Sequence, residues 1–384
     1  MRRLLRDERG MALAVAIFAL VVVGALVAGA FFAGTQEQRV GENQRRVQAS
    51  FGVAEAGAQE RVLTWIPDSM NKRPTYPPES VAIAATQAPN GTGTYFGYSY
   101  KMGSNIFLLN VVGRDKSTTA GATAGGAGAQ QRVGLITRIA PIDFGIRASL
   151  TTQGSTNLSG NATVNGADSV PTGWTNCDPP GLGQPGIRDQ GGNVTESGQG
   201  SVTGYPTAVV NDPTINNNTF TTFGGATYAQ MAARATITLP GSTYKTAPRF
   251  NGALCDKTDL LNWGDGVNPL TACGSYFPII HITGDATLNG DQGQGILLVD
   301  GTLSVQGSYQ FFGIVIIQGD LKTSGGGNED AHFWGGVMAK NADLSMQNLS
   351  GKATLNYSSC SILMALQATS PISMMRSRGW TQLF

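Results

Sequence analysis

Charge is scarce in this chain. Of its 384 residues, 13% are Asp, Glu, Lys or Arg, against a usual share of roughly 25%. The 26 Lys and Arg nearly cancel the 25 Asp and Glu, leaving a formal charge of +1. With no basic surplus to neutralise phosphates, nucleic acid is excluded from the expected partners. Histidine is rarer still, with His281 and His332 alone, and none of the four cysteines lies in a CxxC pair. That excludes a zinc site of ordinary spacing. No nucleophile elbow, phosphate loop or dinucleotide fingerprint stands in a usable context, so the chain is expected not to be an enzyme and to need no cofactor. The even cysteine number permits disulfides in an exported chain, and Cys177, Cys255, Cys273 and Cys360 allow three pairings. Proximity favours Cys255 with Cys273.

What the chain does have is glycine, 52 residues of it, with abundant Ser, Thr, Asn and Gln after residue 85. That composition suits turn-dense β structure. The one long apolar run is Met11 to Gly34, 24 residues without a charge. As a helix it spans about 36 Å, enough for a hydrocarbon core of about 30 Å. Arg2, Arg3, Arg6 and Arg9 precede it, which places the N-terminus in the cytoplasm and exports the chain beyond Gly34. The run is longer than the core of a cleaved secretory signal, about 7–15 residues. It also continues as helix: Val40, Val47, Phe51, Ala54, Ala58 and Val62 fall on one stripe, with Glu37, Arg39, Glu42, Arg45, Arg46, Glu55, Glu60 and Arg61 on other faces. Pro67 ends the pattern. One long helix is expected, from about Met11 to Trp65, apolar all round in its first half and amphipathic in its second.

A charged leader ending in Gly10, an apolar helix, and then "EQRVGENQRRVQASFGVAEAG" resemble the N-terminus of type IV prepilins, and most nearly the PilX-type minor pilins. The resemblance covers about residues 6–65. It implies cleavage between Gly10 and Met11 by prepilin peptidase on the cytoplasmic side, leaving an N-methylated Met11. It also implies a single-pass inner-membrane protein with a periplasmic head, partnered by other pilin subunits and the inner-membrane pilus assembly machinery, and finally built into an extracellular pilus. The chain departs from the major pilins in two places: Met11 stands where they have Phe, and Val15 where they carry Glu at the fifth mature position. Lacking that carboxylate, the chain is expected to be a minor or tip subunit of a type IV pilus or related secretion filament. The alternative is a surface adhesin or glycan-binding head, less readily a glycan-cleaving one, that meets a surface glycan or a host or abiotic surface.

After the helix, 67–93 reads as a loop. Strand-like runs at 94–102, 105–113 and 131–140 suit an antiparallel meander packed on the helix, so residues 67–142 are expected to form a small pilin-like domain. From 279 a repeat appears: "IIHITGDATLNG", "ILLVDGTLSVQG", "IVIIQGDLKTSG" and, more weakly, "GVMAKNADLSMQ". Its corners Gly284, Gly301, Gly319 and Asn341 are 17, 18 and 22 residues apart. A period this short fits the coil of a parallel β-helix, with an antiparallel sheet of hairpins as the other possibility. Ile282, Leu288, Leu298, Leu303, Val305, Ile314 and Ile316 are expected inside. The fold class is therefore an α+β pilin-like region followed by a mostly-β domain over 143–384, with an irregular insert at 167–278. "GGGNEDAHFWGG" (325–336) brings Glu329, Asp330 and His332 beside Phe333 and Trp334, and is expected to be a solvated corner rather than a catalytic one. "NGDQGQG" (289–295) and "NWGDGVNP" (262–269) could offer oxygens to Ca²⁺, but without EF-hand spacing.

Overall fold

The computed structural model describes residues 9–384 apart from 72, 90, 104, 116–128, 141, 176, 225, 325–329, 346–351, 376–378 and 384. The chain forms two units. One comprises residues up to 64, 75–137 and 374–384; the other comprises 65–74 and 138–373. The last residues of the chain, assigned by the sequence to the solenoid region, thus cluster with the long helix.

The first unit is one helix on one sheet. Helix α1 runs Arg9–Leu63. Strands β1 (Val81–Gln87), β2 (Gly93–Lys101), β3 (Ile106–Asp115) and β4 (Gln130–Ile139) lie side by side in that order. β1–β2 and β2–β3 pair antiparallel. The C-terminal strand β28 (Trp380–Leu383) pairs antiparallel with β4, Trp380 opposite Leu135. The stretch 67–93, expected as a loop, holds a short helix α2 (Pro67–Met70), which belongs to the second unit, and all of β1. Strand β2 alternates, with Tyr95, Gly97 and Ser99 buried.

The second unit is built from strands that run parallel within two sheets. Strands β5 (Leu150–Thr152), β6 (Thr156–Ser159), β7 (Thr163–Asn165), β8 (Ile187–Asp189), β9 (Val194–Glu196), β10 (Ser201–Thr203) and β11 (Val209–Asn211) come first. A 3₁₀ turn (Asn217–Phe220), a small hairpin β12–β13 (Thr222–Phe223, Ala226–Thr227) and helix α3 (Tyr228–Ala232) come after them. Next are β14 (Ile237–Pro240), β15 (Thr243–Tyr244) and a second hairpin, β16–β17 (Phe250–Asn251, Leu254–Cys255). The chain then winds through β18 (Ile279–Thr283), β19 (Ala286–Asn289), β20 (Gln292–Val299), β21 (Leu303–Gln306), β22 (Gln310–Ile317), β23 (Asp320–Ser324), β24 (Asp330–Ala339), β25 (Asn341–Ser345) and β26 (Lys352–Tyr357). Helix α4 (Ser359–Thr369) follows in this unit, and strand β27 (Ile372–Met374) runs across its boundary at 373.

Strands β14, β18, β20, β22 and β24 stack in one sheet, each parallel to the next. β15, β19, β21, β23 and β25 stack in the other. The insert at 167–278 is therefore not irregular throughout, because it carries β8 to β11 and the coil β14–β15. Within it the short helix α3 ends at Ala232, and Ile237 begins a strand.

The stacking order departs from chain order. β24 pairs over Asp330–Gly335 with β26, and over Val337–Ala339 with β5. β25 pairs with β6. The earliest coil therefore sits against the last, and β7 to β11 extend the stack beyond it. A continuous column runs through the interior: Ile237, Ile280, Leu297, Val315, Val337, Leu150, Ile187 and Val209 stand in register.

The larger sheet is buried on both faces. Ile280, Ile282, Leu297, Val299, Val315 and Ile317 fill the inside of the coil. Ile279, Ile296, Leu298, Ile314, Ile316 and Met338 face outward into a second core with Phe220, Phe223, Met231, Phe277 and α4 residues Ala365 and Ala368. Leu298, Ile314 and Ile316 are thus buried as expected but on the opposite face. A parallel sheet covered on both sides reads as an unbroken apolar run, which hides the alternation.

Candidate functional site

Helix α1 carries two surfaces in succession. In its first half no residue of the apolar window is buried. Leu13 and Val15 are each 66% exposed, and Phe18 and Phe31 more so. By length and composition this segment can cross a membrane. Gly10 and Met11 lie in its first turns, and their side chains fall outside the described residues. Val15 presents an apolar side chain where the resemblance expects a carboxylate.

The second half seats on the sheet through Ser50, Val53, Ala54, Gly57 and Ala58, all buried. This face is offset from the expected stripe: Ala54 and Ala58 belong to it, but Val40, Val47 and Phe51 are exposed. Small residues define it because backbone meets backbone there. A Cβ on Gly113 of β3 would overlap the Ser50 carbonyl oxygen and the Ala54 nitrogen, and one on Gly57 would overlap the Tyr95 ring. At the end of this contact the Tyr95 hydroxyl donates to Glu60 Oε2 at 2.8 Å. Burial, then the bond to the Glu60 carboxylate, raises the Tyr95 pKa above its ordinary value.

The second unit carries a polar face on its smaller sheet. Thr243, Thr287, Ser304, Lys322, Asp343, Asn157 and Thr195 form one cross-strand rank, each in register with the next. Two open grooves lie along it, of about 530 and 250 Å³, and both include Lys322. Asp285 at the first groove accepts from Thr302 N at 2.7 Å, and Asp320 at the second accepts from Asn341 Nδ2 at 2.8 Å. Among the described residues no aromatic side chain lines either groove.

The other candidates from the sequence are scattered. Glu329 lies outside the described residues, and so does the side chain of Asp330. His332, Phe333 and Trp334 are not at a loop corner but within β24, where alternation turns Phe333 away from His332 and Trp334. Phe333 is 2% exposed, in the inner core, and Trp334 stands in register with Phe312. In the loop at 262–269 the Asp265 carboxylate is turned inward. It accepts from Asn268 N at 3.0 Å, Thr271 Oγ1 at 2.9 Å and Gln292 Nε2 at 2.8 Å. Gln292 and Gln294, from the other Ca²⁺ candidate, are likewise committed inside: Gln292 Oε1 accepts from Val267 N, and Gln294 Nε2 donates to the Tyr276 carbonyl. Among the described residues no group of three or more His, Cys, Asp or Glu is placed to hold a metal.

The structure pairs Cys255 with Cys273 and Cys177 with Cys360. The Asn262 amide lies against the first pair, 3.3 Å from Cys255 Sγ and 3.5 Å from Cys273 Sγ. The second pair ties the 167–186 segment to the first turn of α4, where Asp168 also accepts from Ser359 N and Oγ at 2.8 and 2.6 Å.

One cluster had no sequence signal. His281 Nε2 and the Tyr228 hydroxyl each lie 2.9 Å from Asp300 Oδ1. Their residues are separated from Asp300 by 19 and 72 positions, so only the stacking of β18 on β20 and the docking of α3 unite them. Burial and the Asp300 contact raise the Tyr228 pKa.

No protein-family model matches this sequence, and no curated protein matches it. Among solved structures, the crystal structure of competence-associated pilin ComZ from Thermus thermophilus is similar over 88% of this chain and 97% of that chain, with 13% identity and a TM-score of 0.23. A similarity at that level carries no argument for function.

Proposed function

We propose that this chain is a type IV pilin-like minor subunit, held in a membrane by the first half of α1 and presenting its parallel-strand unit as a head. The observation that carries the reading is the two-part helix. An exposed apolar half, sufficient to span a bilayer, runs without a break into a half whose small-residue face is buried in an antiparallel sheet. A plain signal anchor would need no such continuation. On this reading prepilin peptidase cuts between Gly10 and Met11, the helix inserts among the helices of other pilin subunits, and the assembly machinery draws it out of the inner membrane. Val15 in place of a carboxylate supports a low-copy or tip position, because no acid is carried into the apolar phase to pair with a neighbour's amine. The chain performs no catalysis in this role.

The test is the mature N-terminus of the membrane-extracted protein, read by mass spectrometry. Methylated Met11 is expected, and Gly10→Val leaves the leader attached and the protein absent from sheared pili. Processing and assembly of that variant as in the parent would end this reading.

A glycan-binding head is the second reading, favoured by the Lys322-centred polar rank and its two grooves. The lack of an aromatic platform weighs against tight sugar binding. Lys322→Ala together with Ser304→Ala leaves pilus assembly intact and abolishes surface attachment if the head is an adhesin. Attachment unchanged by both removes that role from this face.

A further inference from the structure

The two disulfides differ in what surrounds them. Each joins a buried residue to a half-buried one, Cys273 to Cys255 and Cys360 to Cys177, but the Asn262 amide covers both sulfurs of the Cys255–Cys273 bond. That amide is itself fixed by the carbonyls of Arg249 and Asp256, at 3.1 and 2.6 Å. Cys177 and Cys360, in contrast, both line a pocket of about 100 Å³ that opens to solvent. Its walls are apolar: Trp174, Pro269, Leu270, Phe277 and Met364. Trp174 is a rigid wall, stacked on Phe312 at 5.6 Å, edge-on to Phe277 at 5.9 Å, and anchored through Nε1 to the Gly266 carbonyl at 2.8 Å. Leu270 is 87% exposed at the rim. An open apolar pocket with a disulfide in its lining has the two parts that thiol exchange on a protein needs: access to a sulfur, and a surface for the side chain beside the incoming thiol.

We propose that Cys177–Cys360 is a thiol–disulfide exchange site, whose partner is a dithiol carried by a peptide with an apolar residue next to the reactive cysteine. The partner's thiolate attacks Cys177 Sγ, the half-buried member. A mixed disulfide forms there, the Cys177–Cys360 bond breaks, and its electron pair leaves on Cys360 Sγ, which takes a proton from solvent. The partner's second thiolate then attacks the mixed disulfide and releases Cys177 as a thiolate, which is protonated in turn. Two electrons pass from the partner dithiol, now oxidised to a disulfide, to this bond, and the reverse sequence installs it. Cys255–Cys273 takes no part. The inference does not depend on the pilin-like reading, since every residue it uses lies in the parallel-strand unit.

The test uses the full-length chain in detergent, treated with dithiothreitol or with a reduced Cys-x-x-Cys peptide bearing a flanking Phe. Quenched samples are alkylated and each cysteine is read by mass spectrometry. Cys177 and Cys360 are expected to be labelled together and at least about tenfold faster than Cys255 and Cys273. Ser275→Trp, which plugs the pocket at its exposed rim, lowers the Cys177–Cys360 rate by about tenfold with the peptide while leaving the other bond unchanged. Thr175→Trp, on another part of the lining, is the second plug should the first fail to fold. Equal rates for the two bonds, a faster Cys255–Cys273, or peptide rates that neither plug alters would overturn the proposal.

Discussion

Three glycines in register govern the middle of the parallel stack. Gly295, Gly313 and Gly335 pair in succession across β20, β22 and β24 at φ of 113°, 136° and 140°. A Cβ on Gly313 would overlap the Gly295 carbonyl oxygen, and one on Gly335 would overlap that of Gly313. Both the backbone conformation and the inter-strand distance therefore need glycine. Gly313→Ala combines left-handed strain with overpacking and is expected to cost roughly 2 to 6 kcal/mol, read as a lowered urea midpoint by circular dichroism. The polar end of the stack sets a pH dependence. Asp212 accepts from the hydroxyl and N–H of Thr214 and from Arg188, and the Thr214 contacts, then Arg188, hold its pKa down to about 2. A depressed carboxylate contributes stability above its unfolded value of about 4 that is lost as pH falls toward 2. Asp212→Asn should thus flatten the stability–pH curve between those limits. A melting temperature that still falls as steeply through that window would count against the assignment.

At the scale of the element, helix and sheet meet through absence of side chains. Gly113 on β3 receives the α1 backbone at Ser50 and Ala54, so Gly113→Ala must lift the helix or bend the strand. Its expected cost is about 1–3 kcal/mol. It also shows as faster amide exchange confined to the buried half of α1 and to β2 and β3. A Gly52→Ala control, with open space at its Cβ, should change little. This contact explains what the sequence concealed. The helix was legible almost to its ends, Arg9–Leu63 against an expected 11 to 65, because apolarity and periodicity both mark it. Its packing face was not. A search for apolar periodicity selects Val40, Val47 and Phe51, all exposed, and passes over Ser50 and Gly57, which close approach selects. The same limit applied to "ILLV" and "IVII". Burial on both faces removes the alternation that would separate Leu297 from Leu298, so residues were placed in the core correctly but on the wrong side of the sheet.

At the scale of the molecule, periodicity gives the unit of the stack but not its order. The corners near 284, 301 and 319 were readable because each coil is local in sequence. That β5 and β6 stack on β24 and β25 was not, since the pairing joins positions nearly two hundred residues apart. The smaller polar groove has the same origin: Asn157 and Asp343 become neighbours only through that pairing. The disulfides report the same topology. Cys255–Cys273 closes 18 residues around one loop, whereas Cys177–Cys360 closes 183, and so encloses β8 through β26. Cross-linking lowers the entropy of the unfolded chain by an amount that grows with the logarithm of the loop. On that basis the long bond stabilises the head by about 2 kcal/mol more than the short one. Replacing each pair with alanines and measuring urea unfolding tests this. Loss of Cys177–Cys360 should lower stability by about 3–5 kcal/mol and exceed the loss from Cys255–Cys273. The reverse ranking would mean that the unfolded chain keeps its coils close together without the bond, and that the long-range closure is made by strand pairing alone.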